Sequence, residues 1–414
     1  MKDEIRDHLN NPKQLEALYR SNKTSFKRAF QTLYPELKGN AMVDFWKERL
    51  DADSDEVNWG TGKELVLVIG AALVAGLIAK LPGIFGIDEE FFYSRNIGFI
   101  IFPLLTAYFA WKQRLSAGKI TLIIVASLTG LIFINLLPNV KNSDTLILSG
   151  IHLLLVLWSI LGFAFVGGKE NTGNRRLDFL KFNGDLVVIT TLILIAGGIM
   201  TGLTIGLFQL IGLNIEEFYF KNIVAFVLPS APIIGTYLIQ TNPQLVGRVS
   251  PVIAKLFSPL VIVMLLVYLG AIIYAEKNPY QNREFLLIFN ALLVGVMAII
   301  FFSVAESTKT AKSSAGIWIL LILSLITIVV NGVALSAILF RISEWGITPN
   351  RTAVLGGNVL ILVNLLLVTV QLYRVLCQKS AVGNVGKAIT SYLPIYLIWA
   401  IIVTFLFPLF FWFK

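Results

Sequence analysis

Two stretches of this chain carry paired carboxylates in the same setting. The first reads Gly86-Ile87-Asp88-Glu89-Glu90-Phe91-Phe92-Tyr93-Ser94-Arg95-Asn96-Ile97 and the second Gly212-Leu213-Asn214-Ile215-Glu216-Glu217-Phe218-Tyr219-Phe220-Lys221-Asn222-Ile223. Each sets a Glu-Glu pair before aromatics, then a basic residue, then Asn-Ile, with a proline seven residues after the Asn (Pro103 and Pro229). Two carboxylates held close together can bind a cation or an amine, or divide the roles of acid and base. Neither stretch brings a nucleophile or a set of metal ligands with it, which favours binding over catalysis. A structural account also fits. Acidic residues at a helix start suit the positive end of its dipole, Arg95 or Lys221 can pair with them, and Phe92, Tyr93 and Tyr219 suit the headgroup belt of a bilayer.

Other polar residues stand in apolar surroundings. For Lys80 and His152 a functional role weighs as much as a structural one, because ionisable groups at membrane depth turn toward protein or a wet cavity. Asn135, Gln209, Asn290, Asn331 and Asn358 read first as interhelical hydrogen-bond glue, with the lining of an outward cavity as the alternative. A third unusual stretch is Arg341-Ile342-Ser343-Glu344-Trp345-Gly346-Ile347-Thr348-Pro349-Asn350-Arg351. Gly346 permits a sharp turn, Thr348-Pro349 reads as a helix start, and Arg341 and Arg351 flank Glu344 in an expected ion-pair cluster. At Trp345 to Arg351, with its Trp-Gly-Ile-Thr-x-x-Arg pattern between late apolar segments, the chain resembles a bacterial membrane family known only as domain of unknown function 4153. The resemblance implies a multi-helix bacterial inner-membrane protein and supplies no catalytic residues.

The elements that must position these groups follow from composition. The 414 residues are 56% hydrophobic and 14% charged, against about 25% charged in a soluble domain. The deficit comes from apolar runs long enough to cross a bilayer. Eleven are expected, near 64–86, 96–112, 119–138, 145–168, 184–211, 221–240, 251–275, 284–305, 315–340, 352–377 and 388–413. The fold expected is an all-α polytopic transmembrane helix bundle. The two Glu-Glu stretches lie 127 residues apart, which suggests two four-helix repeats, 64–168 and 184–305, followed by three helices over 315–414. Four crossings per repeat make the copies parallel.

Residues 1–60 are polar and hold no apolar leader, so the first membrane helix serves as the insertion signal. They read as a small helical domain, with faces at Leu15, Leu18, Tyr19, at Phe26, Ala29, Phe30, Leu33 (ended by Pro35), and at Met42, Phe45, Trp46, Leu50. Asp51 to Gly62 is the linker.

Net charge is +9. Residues 1–63 hold 11 basic and 11 acidic residues, so the excess belongs to the membrane part and is a topology signal rather than a nucleic-acid footprint. An N-terminus inside puts 13 of the loop cations within and 8 outside. It places the N-terminus in the cytoplasm, Lys414 outside and both Glu-Glu stretches on the outer face. One cysteine, Cys377, and two histidines, His8 and His152, exclude a disulfide and argue against zinc or haem. No Walker loop or dinucleotide turn appears, so no cofactor or metal is expected.

The partners expected are the lipid bilayer, a small-molecule or lipid ligand, and a cytoplasmic protein. The first functional expectation is a permease-like small-solute transporter with an outward-facing polar cavity at Glu89, Glu90, Glu216, Glu217, Lys80, His152, Asn290, Arg341, Glu344 and Arg351. The alternatives are a non-transporting sensor or envelope-complex subunit that docks a partner through residues 1–60, and an enzyme acting on a lipid-linked substrate.

Overall fold

Hydrocarbon gives a polypeptide backbone nothing to bond to, so a crossing segment must bond to itself, and a lone segment does so as a helix. The computed structural model describes residues 2–9, 11–21, 23–37, 39–52, 60–140, 143–167, 172–210, 213–243, 258–259, 261–263, 265–266, 283–307 and 314–414. Among them helix is the only regular secondary structure. Two compact units divide the chain, Met1–Trp59 and Gly60–Lys414.

The first unit contains α1 (Lys2–Asp7), α2 (Pro12–Ser21), α3 (Lys23–Leu37) and α4 (Ala41–Ala52). Its core joins Ile5, Leu15, Phe26, Phe30, Val43, Trp46 and Leu50. Tyr19, Phe26 and Trp46 meet edge-on or tilted at 5.1–5.6 Å between ring centres. Two details depart from the sequence reading. Pro35 does not end α3 but lies in its last turn. Phe45 leaves the expected apolar face and is 58% exposed. At the rim of this core Glu16 receives Arg20 at 2.8 Å and Arg49 at 2.7 Å. The hydrogen bond from Arg20, helped by Arg49, holds its carboxyl below the ordinary carboxylate range.

The second unit holds ten long helices among the described residues. They are α5 (Gly62–Phe85), α6 (Glu89–Lys112), α7 (Ala117–Leu136), α8 (Asp144–Val166), α9 (Thr172–Leu210), α10 (Glu216–Thr241), α11 (Arg283–Ser307), α12 (Ser314–Trp345), α13 (Pro349–Leu376) and α14 (Val382–Phe410). Eight of them, all but α6 and α11, are long and apolar enough to cross a membrane. At 24 residues α6 is as long as its neighbour α5. The eleven expected segments map onto these helices except 251–275, which falls almost wholly outside the described residues. Residues 169–183, which separate two of the expected segments, are helical from Thr172 onward. Phe179 and Phe182 recur at helical spacing and pack against Phe165 and Phe109, so the loop composition is overridden by a buried aromatic face.

Local chemistry sets the ends. Thr61 caps α5 through Glu64 N at 3.3 Å, and Gly86 closes it at φ +64°, a left-handed position that glycine takes without strain. Asp88 caps α6 through Phe91 N at 2.7 Å. Thr348 caps α13 with Pro349 at its start, as expected from sequence.

Contacts order the two ends of the bundle. Lys112 at the end of α6 returns to Glu64 at the start of α5. Lys119 of α7 donates to Gly167 O beyond α8, and Arg176 of α9 donates to Thr390 O near the start of α14. These lie at what we term the Gly60 face. At the opposite face Thr145 N donates to Lys414 O at 2.9 Å, so the C-terminus lies at the other end of the helices from Gly60. The two Glu-Glu stretches start α6 and α10 at this Lys414 face. Their helices keep different company: α6 packs on α5 and α8, α10 on α5 and α9.

Small residues permit the closest approaches, as expected where van der Waals packing drives association. A Cβ on Gly76 would lie 2.0 Å from the Phe226 ring, joining α5 to α10, and one on Gly356 would lie 2.1 Å from Trp399, joining α13 to α14. Gly76→Val should therefore overpack α5 against α10 and cost about 1–3 kcal/mol, read as a lowered melting temperature of the detergent-purified protein. Gly70→Val, whose Cβ would meet open space, should melt like the native chain.

Candidate functional site

At the Lys414 face the two Glu-Glu stretches come together through α5. The Lys80 ammonium, half-buried in α5, donates to Asn222 Oδ1 of α10 at 2.7 Å and lies 5.9 Å from the Phe226 ring. Tyr93 of α6 donates to Ala79 O at 2.8 Å. Glu89 sits within electrostatic reach of Lys221, and Lys221 pairs with Glu217 at 2.6 Å. Lys221 and Asn222 both lie in a π-helical turn, Phe220–Val224, a geometry concentrated at functional positions. Lys80 and Glu217 thus bond to adjacent residues of one turn, Asn222 and Lys221, while all four glutamates, Glu89, Glu90 and Glu216 included, are exposed. Arg95 does not pair with the carboxylates. It is 3% exposed, donates to Leu137 O at 3.1 Å and lies 4.3 Å from the Phe91 ring centre.

The other predicted residues stand apart from that network. His152 Nδ1 bonds the carbonyl of Leu148 one turn back, at 2.9 Å, which fixes its ring to its own helix. Asn290 is half-buried in α11. In the first turn of α13, Arg351 donates to Trp345 O and Gly346 O at 2.7 and 2.6 Å rather than to Glu344. Arg341 and Arg351 both lie over the Trp345 ring, at 5.2 and 5.8 Å. The expected ion pair between Arg351 and Glu344 is replaced by a carbonyl-bound, ring-stacked arginine. The carbonyls left free at the end of α12 need donors, and an exposed ion pair in their place would gain little.

Two groupings escaped the sequence reading. The first lies at the Gly60 face. Glu64, 8% exposed, accepts from Tyr108 Oη at 2.6 Å and Lys112 Nζ at 3.0 Å. Lys112 also donates to the Tyr108 oxygen at 3.0 Å. The signal was available: an acidic residue within the first turn of a membrane helix needs a partner.

The second grouping runs through α12, α13 and α14. Asn331, fully buried, donates to Asn358 O at 3.1 Å. Asn364, also fully buried, donates to Tyr396 Oη at 3.1 Å. Thr369 donates to Ser324 Oγ at 3.0 Å. Several buried polar atoms here have no partner among the described residues: Asn331 Oδ1, Asn358 Nδ2, Asn364 Oδ1, Trp399 Nε1 and Thr404 Oγ1. Each orphaned group of this kind costs about 1–3 kcal/mol, so five on three successive helices is far from the norm. Asn96 and Asn135 show the ordinary arrangement, a reciprocal amide pair at 3.0 and 2.8 Å.

Among the described residues no three His, Cys, Asp or Glu side chains gather as metal ligands. The fold and these buried polar contacts define an integral, multi-pass, all-α membrane protein. No family model, curated protein or solved structure matches the chain.

The Glu64 network gives a direct test. Glu64→Ala removes the acceptor for two donors and leaves Lys112 without its counter-charge. A loss of about 2 kcal/mol is expected, seen as earlier thermal unfolding. Glu64→Gln, which keeps one acceptor, should lose less.

Proposed function

We propose that this chain is a permease-like protein of a bacterial inner membrane that conducts a small polar solute past the buried polar groups of α12, α13 and α14. The observation that carries the reading is the set of orphaned polar atoms on those three helices. Asn358 lies nine residues from Pro349, about 14 Å along the helix, and Asn331 fourteen residues from Trp345, about 21 Å. Those depths fall within a hydrocarbon layer about 30 Å thick. Donors (Asn358 Nδ2, Trp399 Nε1, Thr404 Oγ1) and acceptors (Asn331 Oδ1, Asn364 Oδ1) are both present, which suits a neutral or zwitterionic solute. The charged residues of these three helices lie toward their ends, and no carboxylate stands at mid-depth to carry a proton. The transport proposed is therefore uncoupled. The glutamates at the Lys414 face then serve as a vestibule, with Lys80 fixing its wall.

The test is uptake by proteoliposomes, read by light scattering with glycerol, urea and glycine as solutes. Asn358→Leu combined with Asn331→Leu should slow the conducted solute about tenfold, equivalent to about 1.4 kcal/mol, while insertion is unchanged. Rates equal to protein-free vesicles for all three solutes would sink the proposal.

A second reading is favoured by one feature of Met1–Trp59. Phe45 stands exposed beside a cavity of about 330 Å³ lined by Pro12, Glu16, Met42, Trp46 and Arg49. An exposed aromatic at the lip of an apolar hollow is the anatomy of a partner anchor. On this reading the protein is a docking subunit of an envelope complex. Phe45→Asp should then release a partner cross-linked in native membranes and leave the melting temperature unaltered. Unchanged cross-linking rejects it.

A further inference from the structure

A basin opens at the Gly60 face between the end of α13 and the start of α14. It encloses about 430 Å³ and is lined by Gln371, Arg374, Lys379, Ser380, Asn384 and Lys387 among others. Its polar side chains are tied to one another: Ser380 Oγ donates to Gln371 Oε1 at 3.4 Å, and Asn384 Nδ2 donates to Ser380 Oγ at 3.0 Å. Three cations converge on this hollow, and all three are exposed. The chain has no Asp or Glu after Glu344, so neither α13 beyond that point nor α14 supplies a counter-charge. The neighbouring part of α9, which meets α14 through Arg176 and Thr390, holds Arg175, Arg176 and Lys181 against Asp178 and the buried Asp185.

Like charges around one cavity repel unless an anion lies among them. The start of α14 adds to this, since its N-cap, Ala381, offers no side-chain acceptor for the free amides of the first turn. A cation excess on one side of a membrane orients the chain wherever the cations stand. It gives no reason for three of them to line a single hollow with an amide, a hydroxyl and no acid. Arginine matches phosphate oxygens with a planar fork, and lysines add point charges around it.

We infer that this basin binds a phosphate group, carried by an anionic lipid headgroup or present as free inorganic phosphate. The inference does not depend on the transport reading. Purified full-length protein, reconstituted in phosphatidylcholine vesicles with or without phosphatidylglycerol, is examined by native mass spectrometry for retained lipid. In a second arm, inorganic phosphate is titrated calorimetrically in neutral detergent. Arg374→Gln with Lys387→Gln is compared with Lys63→Gln and Arg114→Gln, which remove the same charge elsewhere on that face.

Retained phosphatidylglycerol that the basin variant loses about tenfold and the control keeps assigns the headgroup. Saturable phosphate binding with the same pattern assigns the free anion. Equal weakening by both variants means diffuse surface attraction, and no binding in either arm means that the cations only orient the chain. Either of those results overturns the inference. Melting temperatures are read for every variant. If the double basin variant does not fold, Lys379→Gln, at an exposed position, replaces it under the same comparison.

Discussion

A polar atom carried into hydrocarbon is either paired within the protein or held there at a cost of several kcal/mol. That constraint sorts the side chains of this protein by position. Hydroxyls on helix faces turned outward bond back to their own helix: Thr121 to Ala117 O, Thr129 to Val125 O, Thr191 to Val187 O and Thr204 to Met200 O, all at 2.7–3.0 Å. Each is satisfied before any neighbour arrives and so contributes nothing to choosing one. Amides and cations behave differently, because a single turn of helix cannot satisfy both ends of an amide or the whole of a guanidinium. Asn96 therefore reaches Asn135, Lys80 reaches Asn222 and Arg95 reaches Leu137 O. These cross-helix bonds fix which helices are neighbours. Helices α12 to α14 stand out because the rule is broken there several times at once.

Packing supplies what those bonds do not. Lipid tails are as apolar as leucine, so helices in a bilayer gain little from hiding apolar surface and must gain from close fit. The glycine and ring pairs Gly76 with Phe226 and Gly356 with Trp399 provide it at two junctions. Each stands near a polar tie. Phe226 is also the ring over which Lys80 lies, and Gly356 is two residues from Asn358 on α13. Trp399 is consequently held by its ring while its Nε1 finds no acceptor. A side chain locked by shape cannot rotate to satisfy its polar atom, which is how an orphan donor persists in a well-packed interface.

Much of this was legible in the sequence. Apolar length alone gave the membrane helices, and Thr348-Pro349 gave the start of α13, because length and cap chemistry are local. A helix-start role was one of two accounts given for the acidic pairs, with the apolar segments expected only from 96 and 221; the helices begin at Glu89 and Glu216, and Asp88 caps the first of them. What distance hides was lost. Arg95 looked like a partner for Glu89 and Glu90, but its guanidinium is carried to Leu137 by the approach of α7, which no spacing reveals. The linker after α8 was read from its polar residues, although Phe179 and Phe182 make it a buried helix. Glu64 went unremarked because Tyr108 and Lys112 stand more than forty residues away on another helix. Asn331 and Asn358 were seen singly and weighed as glue, and Asn364 was not singled out; only their shared lack of partners among the described residues sets them apart.

The arrangement of α13 and α14 joins these strands of argument. Asn364 and Gln371 are seven residues apart, two turns of helix, and so share one side of α13. Both bond to α14 or its approach: Asn364 to Tyr396 and Gln371 with Ser380. The amide line thus runs from the middle of the bundle to the cationic basin at the Gly60 face. The cations near that end have no carboxylate later in the chain than Glu344 to neutralise them. If orientation were the only demand on these residues, the charges could be scattered among any loops of that face, and the interface above them could be filled with leucine at less cost. Stability does not explain why buried amides and a cationic basin should fall on the same pair of helices, whereas the proposed solute path and anion site would each require them there.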